Sequence, residues 1–199
     1  LGDPRVGWYN SAALSYLKLN GVPDEACFPY TAHNQPCTTC ADWADRIDLT
    51  KIKDWKTVTD ITEMKKLLSE HGCLIADFVV YEDFYYHYVD GVYEWDGVSN
   101  ILGGHAVAVV GYSDADECWI CKNSWGSKWG ISGYFKIAYG ECGIDDIMYN
   151  IDLVCPAEEA GKTIGLTTAS IDMVRQFRDR LLLTRKGGAY LFVATKNIG

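Results

Sequence analysis

A single stretch, residues 103–129, most constrains what this chain can fold into. It reads GGHAVAVVGYSDADECWICKNSWGSKW and places two polar residues, His105 and Asn123, at the edges of apolar runs rich in Val and Ile. Residues 106–110 predict a strand buried on both faces and residues 118–122 the returning strand, with an Asp-rich turn between them. A hairpin of this kind brings His105 and Asn123 close together although they are far apart in the sequence.

An isolated histidine beside a strand is most often a packed core residue, so His105 alone does not indicate catalysis. The segments around it change that interpretation. GGHAVAVVGY and CKNSWGSKWGISGYFKI closely resemble the histidine and asparagine motifs of the papain-like cysteine peptidases, in which the chain reads Gly-His-Ala-Val and then Lys-Asn-Ser-Trp-Gly. The resemblance extends to about residue 153, and we expect a secreted homologue of the bacterial or archaeal type.

This family needs such residue types because a thiol is a weak nucleophile near neutral pH. A neighbouring imidazole takes the thiol proton, and the resulting imidazolium holds the thiolate at a pKa of ~3 to 4 in the papain case. The resemblance assigns the imidazole to His105. Asn123 is expected to accept a hydrogen bond from the other ring nitrogen, which fixes the tautomer and orientation of the ring without adding charge. Trp125 is expected to shield this hydrogen bond from water.

The resemblance also implies a substrate-binding surface. Gly7 is expected to present backbone groups that pair with an extended polypeptide substrate, and Trp8 and Tyr9 to line the pocket for the side chain two residues before the cut. Ala106 and Ile147 are expected to line the same pocket, which would favour an apolar side chain. The substrate is expected to lie in a cleft between the two halves of the domain.

The rest of the chain predicts two helices. Residues 6–20 form an amphipathic pattern that includes Leu19 on its apolar side and ends at Gly21. Residues 60–71 begin with the capping-box sequence DITE, carry an apolar face and end at Gly72.

Further strands are predicted for residues 74–80 and 133–139, and the aromatic segment 81–95 is interpreted as turn-like. Asp145 and Asp146 follow in a loop, and we interpret them as a solvated turn and not as a pair of catalytic carboxylates.

Composition limits the partners of the chain. The net charge of −9 and a sequence pI near 4.8 argue against a nucleic-acid partner, which normally requires a basic face. No apolar run approaches the length needed to span a bilayer. Eight cysteines in 199 residues favour an extracellular or other oxidising compartment, with a reduced intracellular chain as the alternative.

The cysteines also raise the question of a zinc site, because Cys37 with Cys40 and Cys118 with Cys121 have the spacing of zinc ligands. Positions three apart on a strand point to opposite faces, so Cys118 and Cys121 cannot bind one ion together. We therefore expect no metal and no cofactor. Cys27, Cys37 and Cys40 lie in a Pro-containing loop and are disulfide candidates instead.

The expected nucleophile does not occur in the sequence. In the family it lies in a Gln…Cys-Gly-x-Cys-Trp segment, ~130 to 150 residues ahead of the histidine, and the glutamine donates to the oxyanion. Counted back from His105, that position falls before Leu1, so we expect a missing N-terminal segment of the same protein to supply both residues. Neither Cys27 nor Cys73 begins a helix, where a thiol pKa is lowered, so neither is expected to replace the nucleophile.

Together these inferences predict an α+β fold, the papain-like cysteine peptidase fold truncated at its N-terminus. Residues 1–40 are interpreted as the remnant of the helical half, residues 41–153 as the sheet-rich half, and residues 154–199 as a linker and the start of a C-terminal accessory helical module. The full-length protein is expected to be a cysteine-type endopeptidase that acts through a thioester acyl-enzyme, and this chain alone to be inactive. The alternative is an inactive homologue that binds peptides or protein partners in the cleft.

Overall fold

The structure, a computed structural model, describes residues 8–29, 31, 36, 38–47 and 51–153. The described residues fall into two compact units, residues 8–55 with 151–153 and residues 56–150. The expectations for Gly7, Cys37 and residues 154–199 lie outside the described residues. The predicted division into two halves and an accessory module stays a prediction.

The described residues contain both helices and strands. The helices are α1 (Asn10–Asn20), α2 (Trp43–Ile47), α3 (Ile61–His71) and α4 (Glu82–His87). The strands are β1 (Ile52–Val58), β2 (Leu74–Tyr81), β3 (Val92–Tyr93), β4 (Ile101–Ser113), β5 (Cys118–Lys122), β6 (Tyr134–Ala138) and β7 (Met148–Leu153). The strands form one sheet in the order β1-β7-β2-β4-β5-β6-β3. Within the described ranges, no helix has the length and apolar character needed to cross a membrane.

Helix α1 differs from its sequence prediction at its start and in its buried face. It begins at Asn10 and not at residue 6, and Tyr9 before it is extended. Leu14 is buried, whereas Leu19, which was predicted on the apolar face, is 75% exposed. The predicted end is confirmed, because the backbone N–H of Gly21 closes the last turn.

A disulfide in the same unit joins Cys27 to Cys40, two of the three predicted candidates. The backbone N–H of Cys40 also donates to Cys27 Sγ at 3.2 Å. Because the bridge links residues 13 positions apart, it restricts the unfolded chain and stabilises the fold by about 3 kcal/mol in the chain-entropy account.

Helix α3 has the limits that its sequence predicts. Asp60 is the N-cap, and its side chain accepts a hydrogen bond from Glu63 N at 2.8 Å. Gly72 ends the helix in the left-handed conformation, which a glycine adopts without steric cost. The apolar face of the helix packs into the core through Met64, Leu67 and Leu68.

Strands β2 and β4 lie at the centre of the sheet and set the position of the candidate catalytic residues. In β2, alternate side chains face the core, and Ala76, Phe78 and Val80 are almost fully buried. β2 pairs antiparallel with β4 in a register that places Phe78 directly opposite His105. β4 pairs with β5, and β5 with β6, also antiparallel.

The segment predicted as turn-like contains helix α4, so that prediction is wrong. The helix is short, and its formation depends on burial of Phe84, which is 0% exposed. Isolated helices of this length are not stable in water, so tertiary packing must hold it. The ring of Phe84 packs against a set of aromatic side chains from neighbouring elements: Phe78, Tyr88, Tyr93, Trp125, Trp129 and Phe135.

The cap of α3 gives a first test of this fold. We expect Asp60→Ala to lower the free energy of unfolding by about 1 kcal/mol, because Glu63 N loses its hydrogen-bond partner. Asp60→Ser should retain most of the stability, since serine also caps helices. Urea unfolding followed by circular dichroism measures both changes, and equal losses in the two variants would contradict a capping role.

Candidate active site

His105 is held on the core face of β4. Alternate side chains of this strand are buried, among them His105, Val107 and Val109, and His105 is only 6% exposed. A polar ring buried to this extent must find a hydrogen-bond partner inside the protein.

Asn123, the first residue after β5, is that partner. Its backbone N–H donates to Gly133 O at 2.9 Å, which fixes the chain as it leaves the strand. Asn123 Oδ1 accepts from Ser124 N and lies 2.8 Å from His105 Nε2. Because the backbone N–H of Ser124 can only donate, the shared atom is the amide oxygen, and His105 must donate to it through Nε2. In the neutral ring, Nδ1 is then the acceptor nitrogen.

Two aromatic side chains enclose the imidazole. Trp125 stacks on its face with ring centroids 4.9 Å apart and planes 24° apart. Phe78 meets the imidazole at a steep angle of 60°, with centroids 5.8 Å apart. Trp125 is supported in turn by Tyr85 and Trp129, at centroid distances of 5.0 Å and 4.8 Å.

This environment lowers the pKa of His105 below the ordinary value of 6.5. Burial is the larger cause because it disfavours the charged ring, and the hydrogen bond to Asn123 acts in the opposite direction. The folded chain therefore binds fewer protons at His105 than the unfolded chain as the pH falls through 6.5. The contribution of His105 to stability is complete above this pH and decreases below it.

None of the four free thiols in the described residues is activated. Burial raises the pKa of Cys118 and Cys121 in β5. It raises the pKa of Cys142 to about 12, where the Glu141 carboxylate adds to the effect. Cys73 is exposed as a residue, but its thiol is desolvated by neighbouring atoms, and its pKa rises to about 11. An attacking thiol requires the opposite shift.

The residues predicted to line the specificity pocket occur in both units. Ala106 follows His105 in β4 and therefore faces the opposite side of the sheet, where it is half-buried. Ile147 lies just before β7 and is 42% exposed. In the other unit Trp8 is 39% exposed and Tyr9 is 84% exposed. Their roles in substrate binding stay predictions.

The prediction of a solvated turn at Asp145 and Asp146 is wrong for Asp145. Asp145 is 8% exposed, and its Oδ2 accepts from Trp119 Nε1 at 3.0 Å and from Gly140 N at 2.8 Å. Asp146 is exposed. Asp145 therefore links the loop that precedes Ile147 to the buried indole of Trp119 in β5 by a hydrogen bond.

Two aromatic residues near the histidine are not predicted from the sequence as part of the site. Phe78 packs against His105, and Phe84 packs against Phe78 and Trp125. The alternation in LIADFVVY indicates that Phe78 lies on the buried face of β2. Its position opposite His105 depends on strand register, which the sequence of one strand does not reveal.

Comparisons with known proteins give consistent results. A family model described as Papain family cysteine protease matches residues 5–151. Cathepsin B-like CP2 from Giardia intestinalis is 37% identical over 154 residues, which cover 72% of this chain and 50% of that protein. Cathepsin B-like cysteine proteinase 3 from Caenorhabditis elegans is 39% identical over 162 residues, which cover 69% and 42%. The chain thus spans about half the length of the relatives it matches, or less.

Solved structures are similar to the chain as well. The structure of proCathepsin B S9 from Trypanosoma congolense has a TM-score of 0.63 at 27% identity. The matched region covers 72% of this chain and 52% of that chain. Digestive procathepsin L 3 of the Tenebrio molitor larval midgut has a TM-score of 0.61 at 26% identity and covers 74% and 49%. These likenesses confirm the predicted α+β, papain-like fold.

An NMR titration of the imidazole tests the geometry around His105. We expect a pKa below 6.5 in the wild-type chain. In Asn123→Leu the pKa should fall further, because the variant keeps the burial and removes the hydrogen bond that opposes it. Ser124→Ala changes an adjacent exposed side chain and should leave the titration unchanged. A rise in the Asn123→Leu variant would show that the hydrogen bond does not stabilise the charged ring.

A second test concerns the buried carboxyl group of Asp145. We expect Asp145→Ala to lower the free energy of unfolding by about 1–3 kcal/mol, since Trp119 Nε1 and Gly140 N lose their acceptor inside the protein. Asp145→Asn should cost less, because one amide oxygen can accept both hydrogen bonds. Urea unfolding of the two variants measures the difference. An unchanged free energy of unfolding in Asp145→Ala would mean that water replaces the carboxyl group.

Proposed function

Because the chain belongs to the papain family of cysteine proteases, we propose that the full-length protein is a cysteine-type endopeptidase in which His105 is the base and Asn123 orients it. The observation that carries the proposal is the 2.8 Å hydrogen bond between His105 Nε2 and Asn123 Oδ1, with Trp125 stacked on the ring. This arrangement leaves the Nδ1 nitrogen of the neutral ring able to accept a proton.

In the proposed reaction Nδ1 acts first as a base and then as an acid, both when the thioester forms and when it is hydrolysed. His105 Nδ1 takes the proton of a cysteine thiol, and the thiolate attacks the carbonyl carbon of the scissile peptide bond. The C–N bond then breaks as the imidazolium returns the proton to the leaving amine, which leaves a thioester. Water attacks the thioester while Nδ1 takes a proton from it, and the thiol regains that proton as the carboxylic acid product is released.

We infer that the nucleophilic thiol and the glutamine of the oxyanion hole come from sequence outside these 199 residues. The sequence has no Gln…Cys-Gly-x-Cys-Trp segment, and the raised pKa values of Cys73, Cys118, Cys121 and Cys142 disfavour the thiolate form. On this proposal the chain alone does not hydrolyse peptides. Its activity requires the missing N-terminal segment of the same protein.

The proposed substrate is a polypeptide with an apolar side chain two residues before the cut. The support is the apolar character of Trp8, Ala106 and Ile147 and the solvent exposure of Ile147 and Trp8. Tyr9 and the backbone of Gly7 belong to the same proposal. Rejection of a charged side chain by an apolar pocket is the physical reason for this preference.

An oxidising compartment is the proposed location. The support is the disulfide between Cys27 and Cys40, because such bonds persist where thiols are not kept reduced. Secretion and the bacterial or archaeal type stay predictions.

Labelling with an epoxide that alkylates papain-like thiols tests the proposed function. The 199-residue chain and a longer form that begins upstream are treated, and the modified residue is mapped by mass spectrometry. We expect label only in the longer form, at a cysteine ahead of Leu1. His105→Ala should slow the labelling by about 100-fold or more, because the thiol loses its base.

The matched control is His87→Ala, which removes an exposed histidine from α4 and should keep the wild-type labelling rate. If neither form is labelled while the longer form is folded, the catalytic assignment fails. The alternative, an inactive homologue that binds peptides or protein partners, then becomes the better account.

A further inference from the structure

Phe78 is a buried aromatic neighbour of His105 that takes no part in the proposed proton transfers. Phe78 lies directly opposite His105 in the pairing of β2 with β4, and opposed side chains of two neighbouring strands lie within contact distance. The two rings meet at 60° with centroids 5.8 Å apart. Phe78 is 3% exposed, so its ring belongs to the core.

The ring of Phe78 is itself held from other directions. Phe84 meets it edge to face with centroids 5.3 Å apart and planes at 88°. Phe135 packs on it at 5.6 Å with planes at 32°. Because protein interiors are close-packed, the Phe78 ring cannot move away from the imidazole without displacing these two buried side chains.

The hydrogen bond to Asn123 restrains the imidazole at one atom, Nε2. The torsion about the Cβ–Cγ bond of a histidine is broad and nearly two-fold, so a half-turn of the ring would exchange the positions of nitrogen and carbon atoms. Such a turn must sweep the ring edges past the groups that flank it. Trp125 occupies one flank by stacking, and Phe78 provides a second wall at a different angle.

We propose that Phe78 is a positioning residue for His105, which together with Trp125 confines the imidazole to the one orientation in which Nε2 donates to Asn123 and Nδ1 is free to accept a proton. This inference rests on the proposed role of His105 as the base. It predicts that the rigid ring at position 78 is required to keep a single tautomer, because a flexible side chain of similar volume does not form the same wall.

The test is NMR of the 199-residue chain labelled with ¹⁵N-histidine, in which the signals of His105 are assigned with His105→Gln. The wild-type chain should show one neutral tautomer, protonated at Nε2, and a slowly exchanging Nε2–H. Phe78→Met keeps a similar volume and removes the ring. We expect a second tautomer to appear in this variant and the exchange of the Nε2–H to accelerate about tenfold.

Trp119→Met is the matched control. Trp119 is also fully buried, and its ring packs on Tyr112 and Tyr139, which are not among the rings that hold Phe78. This variant should lose stability without a change in the tautomer of His105. A wild-type tautomer and exchange rate in Phe78→Met, or equal changes in both variants, would overturn the inference.

The same spectra separate this inference from the proposed function. If the wild-type chain already shows a mixture of tautomers, the His105–Asn123 pair itself fails, and the proposed function fails with it. If Phe78→Met does not fold by circular dichroism, nuclear Overhauser effects between the two rings in the wild-type chain decide. Their presence supports the wall formed by Phe78, and their absence overturns it.

Discussion

The hydrogen bond between His105 and Asn123 is the interaction on which the candidate active site depends. It joins two polar groups that are 6% and 8% exposed, so each has lost its hydration and needs the other. Among the described residues Asn123 Nδ2 has no partner, so the amide is oriented only through its oxygen. His105 lies in β4 and Asn123 directly follows β5. The antiparallel pairing of these two strands brings the two groups together.

The surroundings of the pair set its protonation state. The apolar rings of Phe78 and Trp125 exclude water and favour the neutral imidazole, whereas Asn123 favours the charged one. In a chain without a nearby anion the first effect is larger. A thiolate beside Nδ1 would reverse the balance because it would supply the opposite charge that the rings cannot. On the proposed mechanism, a thiolate beside Nδ1 would therefore raise the pKa of His105 and favour the charged ring.

Much of this structure could be predicted from sequence where local rules are sufficient. Strand β5 has the predicted limits because an apolar run is bounded by turn residues, and α3 has the predicted ends because Asp60 and Gly72 mark them. The pair of His105 and Asn123 was expected from the hairpin and the family motifs. Local rules failed where tertiary contacts decide. Helix α4 exists because Phe84 is buried in a cluster of rings from distant parts of the chain.

Two further errors have the same origin. Asp145 looked like a surface residue because its partners, Trp119 Nε1 and Gly140 N, are brought to it only by the folded loop. Leu19 was placed on the buried face of α1 from periodicity, but the helix buries Leu14 instead. In both cases the pattern gave the type of element correctly, and the packing partner, which lies elsewhere in the sequence, determined the exposure.

The ring cluster around Phe84 also restricts how this protein can diverge in evolution. The space for each ring in the cluster is set by its neighbours, so replacing one ring leaves a gap or a clash for the others. The effects of such replacements on the free energy of unfolding are therefore not additive. Related chains should therefore change Phe78, Phe84 and Phe135 in correlated groups and not one at a time. Surface positions such as Leu19 should vary independently.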